Sequence, residues 1–195
     1  SHFQFILNEA LKNNIHIETS SAFDINIVET LMEEGKINKN TFIVCNGFKR
    51  DQYVTNIARL INNGHKNTIP VIDNFEELDL LQEEIDGKFK IGIRIAAEEE
   101  PKFEFYTSRL GIGYKDIVPF YRKQIAENKK VELKMLHFFI NAGIRDTAYY
   151  WNELLKCMKV YIALKKECPS LDSLNIGGGF PIKNSLAFDY DYQYM

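Results

Sequence analysis

Short, almost wholly apolar segments alternate with amphipathic helical stretches along this chain, and that alternation restricts its fold more than any other feature. Thr41-Phe42-Ile43-Val44-Cys45, the run from Thr68 to Ile72, and Lys90-Ile91-Gly92-Ile93-Arg94-Ile95-Ala96 are too short for helices. They are also too apolar for strands with one wet face, so they read as strands of a parallel sheet covered by helices. Ile15 to Thr19, Leu133 to Ile140 and Leu171 to Ile176 complete a set of six. Helical stripes stand around and between them: Phe3, Ile6, Leu7, Ala10 and Leu11; Ile25, Val28, Leu31 and Met32, capped by Ser20 or Ser21; Tyr53, Val54, Ile57, Ala58 and Ile61; and Phe75, Leu78, Leu81 and Ile85. A helix over Lys115 to Asn128 follows. The longest helix is expected from about Asp146 to Lys166, with Trp151, Leu154, Leu155, Met158 and Ile162 on one face.

This pattern predicts an α/β fold with parallel strands. Two architectures meet it. A doubly wound sheet of six strands suits 195 residues. A closed (β/α)₈ barrel needs eight strands and typically ~250 residues, so a barrel would be incomplete.

Lys plus Arg is 24 and Asp plus Glu is 27, a net charge of −3, which argues against a nucleic-acid platform. No apolar run approaches the ~18 residues of a membrane span, and Ser1 to Leu11 lacks the order of a signal peptide. Cys45, Cys157 and Cys168 are odd in number and form no Cys-x-x-Cys, so they read as small buried hydrophobes of a cytoplasmic protein. His2, His16, His65 and His137 lack metal-ligand spacing, and no metal is expected.

Among candidate functional residues, Gly177-Gly178-Gly179 stands out. Three glycines directly after a parallel strand let backbone N–H groups turn toward a phosphate without interference from a Cβ. The run is neither a Walker loop nor Gly-x-Gly-x-x-Gly. Arg94 lies inside an apolar strand and needs a partner: a strand carboxylate such as Glu18, or a ligand. Asp24 suits the first turn of a helix. His137 and Phe139 share a strand face with Met135, and a lone strand histidine reads first as a satisfied core residue. Glu98 to Glu100 reads as a solvated turn in the long polar stretch from Ala97 to Gly113.

Taken in order, several segments resemble the fold-type III pyridoxal-phosphate decarboxylases, the family of ornithine, diaminopimelate and biosynthetic arginine decarboxylases that shares its barrel with alanine racemase. Ile17-Glu18-Thr19-Ser20-Ser21-Ala22-Phe23-Asp24 resembles the second barrel strand and its acidic helix start. Cys45-Asn46-Gly47-Phe48-Lys49 is similar to the Cys-Asn-Gly-Tyr-Lys of arginine decarboxylases, and Arg94 sits on a similar Leu-Arg-Ile strand. Ser108-Arg109-Leu110-Gly111-Ile112 resembles a Ser-Lys-Phe-Gly loop. Leu136 to Gly143 stands where the family has Leu-His-Phe-His-Leu-Gly-Ser, and Leu174 to Pro181 resembles its glycine-rich phosphate loop.

The resemblance implies an incomplete (β/α)₈ TIM barrel of the alanine racemase type over residues 1–195, with six of eight β/α units and without the C-terminal β-domain. It implies pyridoxal 5'-phosphate as cofactor, with Gly177, Gly178 and Gly179 on the phosphate, Arg94 positioning the cofactor or a neighbouring carboxylate, Glu18 and Asp24 near the pyridoxal edge, and Phe139 against the ring face. The implied reaction is decarboxylation of a basic amino acid, arginine to agmatine in polyamine biosynthesis, by a homodimer or higher oligomer.

Two residues depart from the pattern: Phe139 replaces the stacking histidine and Ala142 the later serine. The lysine that anchors the cofactor, on the first barrel strand, has no counterpart here, and neither Lys49 nor Lys183 is placed for that role. The isolated 195-residue chain is therefore expected to be inactive and, with two open sheet edges, prone to association. A non-catalytic relative keeping the barrel, or another phosphate-binding β/α enzyme, are the alternatives.

Overall fold

A computed structural model describes residues 10, 16–97, 110–140, 147–181 and 189–194. Among the described residues, six parallel strands make one sheet: β1 (Ile17–Thr19), β2 (Ile43–Cys45), β3 (Thr68–Ile72), β4 (Phe89–Ile95), β5 (Val131–Phe138) and β6 (Ser173–Asn175). The connecting helices are α1 (Ala22–Glu33), α2 (Asp51–Asn62), α3 (Glu76–Glu84), α4 (Tyr114–Phe120) and α5 (Thr147–Lys165). The predicted first helix, with Phe3, Ile6, Leu7 and Leu11, lies outside the described residues apart from Ala10, and so do Ile15 and Glu98 to Arg109.

Each strand pairs with the next in sequence, β1-β2-β3-β4-β5-β6. A doubly wound sheet requires the strand order to reverse at a switch point. Sequential order with uniform parallel crossovers instead winds always the same way, which is how a barrel forms. The sheet is accordingly curled as the wall of a (β/α)₈ barrel, of which the described residues supply six strands.

The two faces of the sheet carry different cores. Ile43, Cys45, Ile72, Ile91, Ile93, Ile95, Leu136 and Phe138 point outward into the helical layer, against Ile25 and Val28 of α1 and Tyr53, Ile57, Leu60 and Ile61 of α2. The concave side holds a small apolar plug of Val44, Ile69, Val71 and Met135, with Phe42 beside it. Two irregularities keep this sorting. Pro70 has no N–H to give a ladder; β3 pairs with β2 as far as Pro70 and with β4 from Val71 onward. A bulge opposite Ile91 and Gly92 leaves Lys134 as an extra residue in β5, so Leu133 faces the helices while Met135 faces inward. From there alternation carries His137 inward as well.

Several boundaries differ from the sequence reading. The helix expected over Lys115 to Asn128 is α4 followed by a π turn, Tyr121–Ile125, in which the Ala126 N–H reaches the Tyr121 carbonyl at 2.9 Å. Pro119, inside α4, removes one α-type donor just before the turn widens. β6 is only three residues long, leaving Leu171 and Ile176 outside it. The buried arc of α5 is Tyr150, Glu153, Leu154, Cys157 and Leu164, whereas Trp151, Leu155, Met158 and Ile162 are about half exposed. Apolar residues surround most of this helix, so periodicity alone does not orient it. Glu153 hides its place in the buried arc because its charge is met there by Lys156 at 2.6 Å and the Tyr114 hydroxyl at 3.1 Å.

No helix among the described residues is long and apolar enough to cross a membrane. The three cysteines are buried and unpaired with one another, and burial pushes the Cys45 thiol up to about 11 and Cys157 to about 12, which keeps both unreactive at neutral pH.

Candidate active site at the mouth of the barrel

Parallel β/α folds place their chemistry at the carboxyl ends of the strands, and polar side chains gather there. Glu18, in β1, lies at the centre of one group. Its Oε1 accepts from Asn46 Nδ2 at 2.9 Å, and its Oε2 accepts from Asn175 Nδ2 at 2.9 Å. Asn175 ends β6, so this bond joins the first and last strands of the curled sheet. Asn46 Oδ1 accepts the Gly47 N–H at 2.9 Å, which turns the amide nitrogen toward Glu18 and toward His137 Nε2, 3.0 Å away.

That geometry sets the state of His137. A nitrogen facing an amide N–H is an acceptor, so the ring proton belongs on Nδ1. The side chain is 1% exposed and Nδ1 has no hydrogen-bond partner among the described residues. Burial pushes the imidazole down to about 4; Glu18, 3.9 Å away, pulls the other way, and Arg94 and Lys49 push further down. The folded protein therefore holds His137 neutral at pH 7, whereas in the unfolded chain it titrates near ~6.5. Between those values only the unfolded state takes up the proton, so stability falls as pH falls through that window and is whole above it. Replacing His137 by Gln is expected to flatten the drop in melting temperature between pH 7 and pH 4.5. An unchanged slope would show that the imidazole is not buried neutral.

A second group is more deeply buried. Arg94, pointing inward from β4, meets Asp73 rather than Glu18, with Nε 3.7 Å from Asp73 Oδ1. Its guanidinium carbon lies 5.3 Å from the centroid of the Phe139 ring, a cation–π contact. Burial holds the Asp73 carboxyl above its ordinary range despite Lys49 and Arg94, and neither of its oxygens has a hydrogen bond among the described residues. Lys49 Nζ donates to the carbonyls of Gly47, at 3.0 Å, and Val71, and stands 3.5 Å from Glu77 Oε2. Glu77 also accepts the N–H of Lys49 at 3.0 Å and of Asp73 at 2.9 Å. The Lys49 ammonium is thus fully committed to holding two loops together.

The glycine run closes the mouth. Gly177 has φ +70°, and a Cβ there would lie 2.5 Å from the Phe138 carbonyl oxygen, so glycine is required. Its N–H is donated to Asn175 Oδ1 at 2.9 Å. Gly177 thus shapes the turn, while Gly178 and Gly179 are exposed with no acceptor among the described residues. A Cβ built on Gly178 meets nothing within 4 Å.

Asp24 stands in the first turn of α1. Its Oδ2 accepts the N–H of Ser20 at 2.8 Å and of Ser21 at 2.9 Å, capping α1. Burial acts upward on this carboxyl, but those N–H groups and the serine hydroxyls outweigh it and hold it low. Ala142, Ser108, Arg109 and Lys183 lie outside the described residues. Among those described, no three His, Cys, Asp or Glu side chains come together as metal ligands.

The residues fit a phosphorylated aldehyde cofactor of the expected kind. The exposed N–H groups of Gly178 and Gly179, with no acceptor among the described residues, suit a phosphate, and a carboxylate, a guanidinium and an aromatic face stand nearby for a ring.

Comparison with known proteins points the same way. Residues 7–189 match the model of the family described as pyridoxal-dependent decarboxylase, pyridoxal binding domain. The biosynthetic arginine decarboxylase of Prochlorococcus marinus (strain MIT 9215) is 27% identical over 177 residues, 87% of this chain and 26% of that protein. Arginine decarboxylase 1, chloroplastic, of Arabidopsis thaliana is 28% identical over 164 residues, 80% of this chain and 22% of that protein. The chain thus spans about a quarter of these relatives' length. Of solved structures, diaminopimelate decarboxylase from M. jannaschi superposes with a TM-score of 0.73 at 19% identity, over 94% of this chain and 43% of that one. Lysine decarboxylase from Selenomonas ruminantium gives 0.67 at 19%, over 90% and 43%.

Proposed function

The chain belongs to the pyridoxal-dependent decarboxylases through their pyridoxal-binding domain, and we propose that it builds the cofactor site of an enzyme that decarboxylates arginine. The glycine turn carries this reading: it lies at the mouth of the barrel, inside the matched region, next to Glu18, Arg94 and Phe139. Gly178 and Gly179 hold the cofactor phosphate through their N–H groups. Gly177 sets their direction. Glu18, with its two oxygens held by the amides of Asn46 and Asn175, stands beside the ring, and Asp24 keeps the β1–α1 turn that presents it. Phe139 offers an aromatic face, and the Arg94 guanidinium beneath it adds positive charge. When bound, pyridoxal phosphate supplies the sink for the electron pair released as the substrate carboxylate leaves as carbon dioxide.

Arginine is favoured over ornithine, lysine and diaminopimelate by the relatives of similar sequence, which are arginine decarboxylases. The enzyme works in the cytoplasm, in keeping with its three unpaired thiols, and as a homodimer or higher oligomer. Two measurements on the full-length protein test this. Titration with pyridoxal phosphate is expected to raise a visible absorbance band, and carbon dioxide release is expected to be at least ~10-fold faster from arginine than from the other three amino acids, a ratio that needs only ~1.4 kcal/mol of discrimination. An absent band ends the cofactor assignment, and faster release from another amino acid moves the substrate.

Phe139 supports one other reading. An aromatic hydrocarbon in place of a histidine stacks but neither donates a hydrogen bond nor carries charge, as in a relative that binds the cofactor without turnover. That protein would show the band and release no carbon dioxide.

A further inference from the structure

The side chain of Asn175 makes two hydrogen bonds with opposite polarity. Its nitrogen donates to Glu18 Oε2 at 2.9 Å, and its oxygen accepts the Gly177 N–H at 2.9 Å. The amide cannot be reversed, because the Gly177 N–H demands an oxygen and the carboxylate demands a donor. Aspartate would lack the donor, and serine would be too short to serve both. β6 has only three ladder partners in β5, namely Met135, Leu136 and His137. A strand this short fixes the turn that follows it poorly. Asn175 adds an anchor on the far side of the curl, to a carboxylate that Asn46 holds from β2.

We propose that Asn175 is the positioning residue for the phosphate-holding turn, coupling the direction of the Gly178 and Gly179 N–H groups to the carboxylate of Glu18. The proposal rests on the cofactor reading above and adds to it a specific link between the phosphate end and the ring end of the site. It separates from a general structural role because the turn faces only the phosphate. Loss of Asn175 then weakens ligands that carry phosphate and spares those that do not.

The test uses the full-length protein with three probes: pyridoxal phosphate, pyridoxal and inorganic phosphate. N175D sets two carboxylates against each other and is expected to weaken pyridoxal phosphate and inorganic phosphate by about 10-fold, of the order of one charge-assisted hydrogen bond. Pyridoxal is expected to stay within about twofold on the same reasoning. The exchange N175D/E18Q restores the bond with donor and acceptor swapped. Measured against E18Q alone, it is expected to recover most of the loss. Thermal melts of all four proteins identify any variant that fails to fold, and N175S, which keeps an acceptor for Gly177 and loses the reach to Glu18, replaces N175D in that case.

Equal losses for pyridoxal and its phosphate, or no recovery in the exchange, overturn the proposal and leave the cofactor reading standing. A wild type that binds neither pyridoxal compound overturns the cofactor reading. The inorganic phosphate arm then decides the matter by itself: a loss in N175D with recovery in the exchange supports the coupling, and absence of phosphate binding ends it.

Discussion

Replacing Lys49 by Met is expected to lower stability by about 3 kcal/mol, the low end of what a broken buried ion pair costs. The side chain is 0% exposed and Glu77, its partner, 2%. Methionine keeps the apolar stem and its packing, so what is lost is the ammonium. The carbonyls of Gly47 and Val71 lose their donor, and the Glu77 carboxylate stays buried without a cation. The loss stays at the low end because Glu77 keeps two main-chain donors, the N–H groups of residues 49 and 73, which no side-chain change removes. In a chain of this size that is about 6–12 °C in melting temperature. Adding Glu77→Gln removes the stranded charge and is expected to recover about half the loss, since a glutamine offers an acceptor to only one of those N–H groups. A fall below about 1 kcal/mol would place the pair in the class of solvent-screened surface bridges. Cofactor affinity reports the effect at a distance: Lys49 fixes the loop after β2, that loop carries Asn46, and Asn46 holds Glu18.

How much of this was legible in the chain follows from which interactions are local. The inner strands were readable because parallel strands buried on both faces leave nearly unbroken apolar runs, and Thr68–Ile72 matches its predicted span residue for residue. Gly177 to Gly179 was readable because a left-handed turn after a strand leaves a compositional mark. Arg94 was recognisable as a group in need of a partner. Its partner was not, because Asp73 sits 21 positions away, and only the β3–β4 pairing of Val71 with Gly92 brings the two strand ends side by side. The bulge at Lys134 left no mark either. It decides that Met135 and His137 face inward, and it follows from the pairing of β5 with β4, which no local pattern encodes. Asn46 reads only as part of the Cys45–Lys49 segment, and Asn175 only as a residue of the last strand. Their second role arises only where β1, β2 and β6 close on one carboxylate, the 157-position gap between Glu18 and Asn175 being the longest of these links.

The pair Gly177→Ala and Gly178→Ala gives the largest contrast the site offers. At Gly177 an L-residue is strained by φ +70°, worth about 1–3 kcal/mol, and its Cβ would press on the Phe138 carbonyl oxygen at 2.5 Å and the Phe139 ring at 3.2 Å. The carbonyl belongs to the end of β5 and cannot yield, so the turn moves instead. Movement breaks the Gly177 bond to Asn175 and redirects the two N–H groups behind it. With the added crowding, about 2–4 kcal/mol of stability is expected to go, and pyridoxal phosphate affinity to fall about 100-fold, the worth of two hydrogen bonds to a charged group. At Gly178 neither cause operates: φ is ordinary and the Cβ position is open. Gly178→Ala is therefore expected to fold at least as well as wild type, gaining about 0.4–1 kcal/mol from a stiffer unfolded chain. Denaturant unfolding and an absorbance titration with the cofactor measure both quantities on the same samples. If Gly177→Ala held the cofactor as tightly as wild type while losing stability, the phosphate would have to be gripped somewhere other than this turn, and the assignment of the site would fall with it.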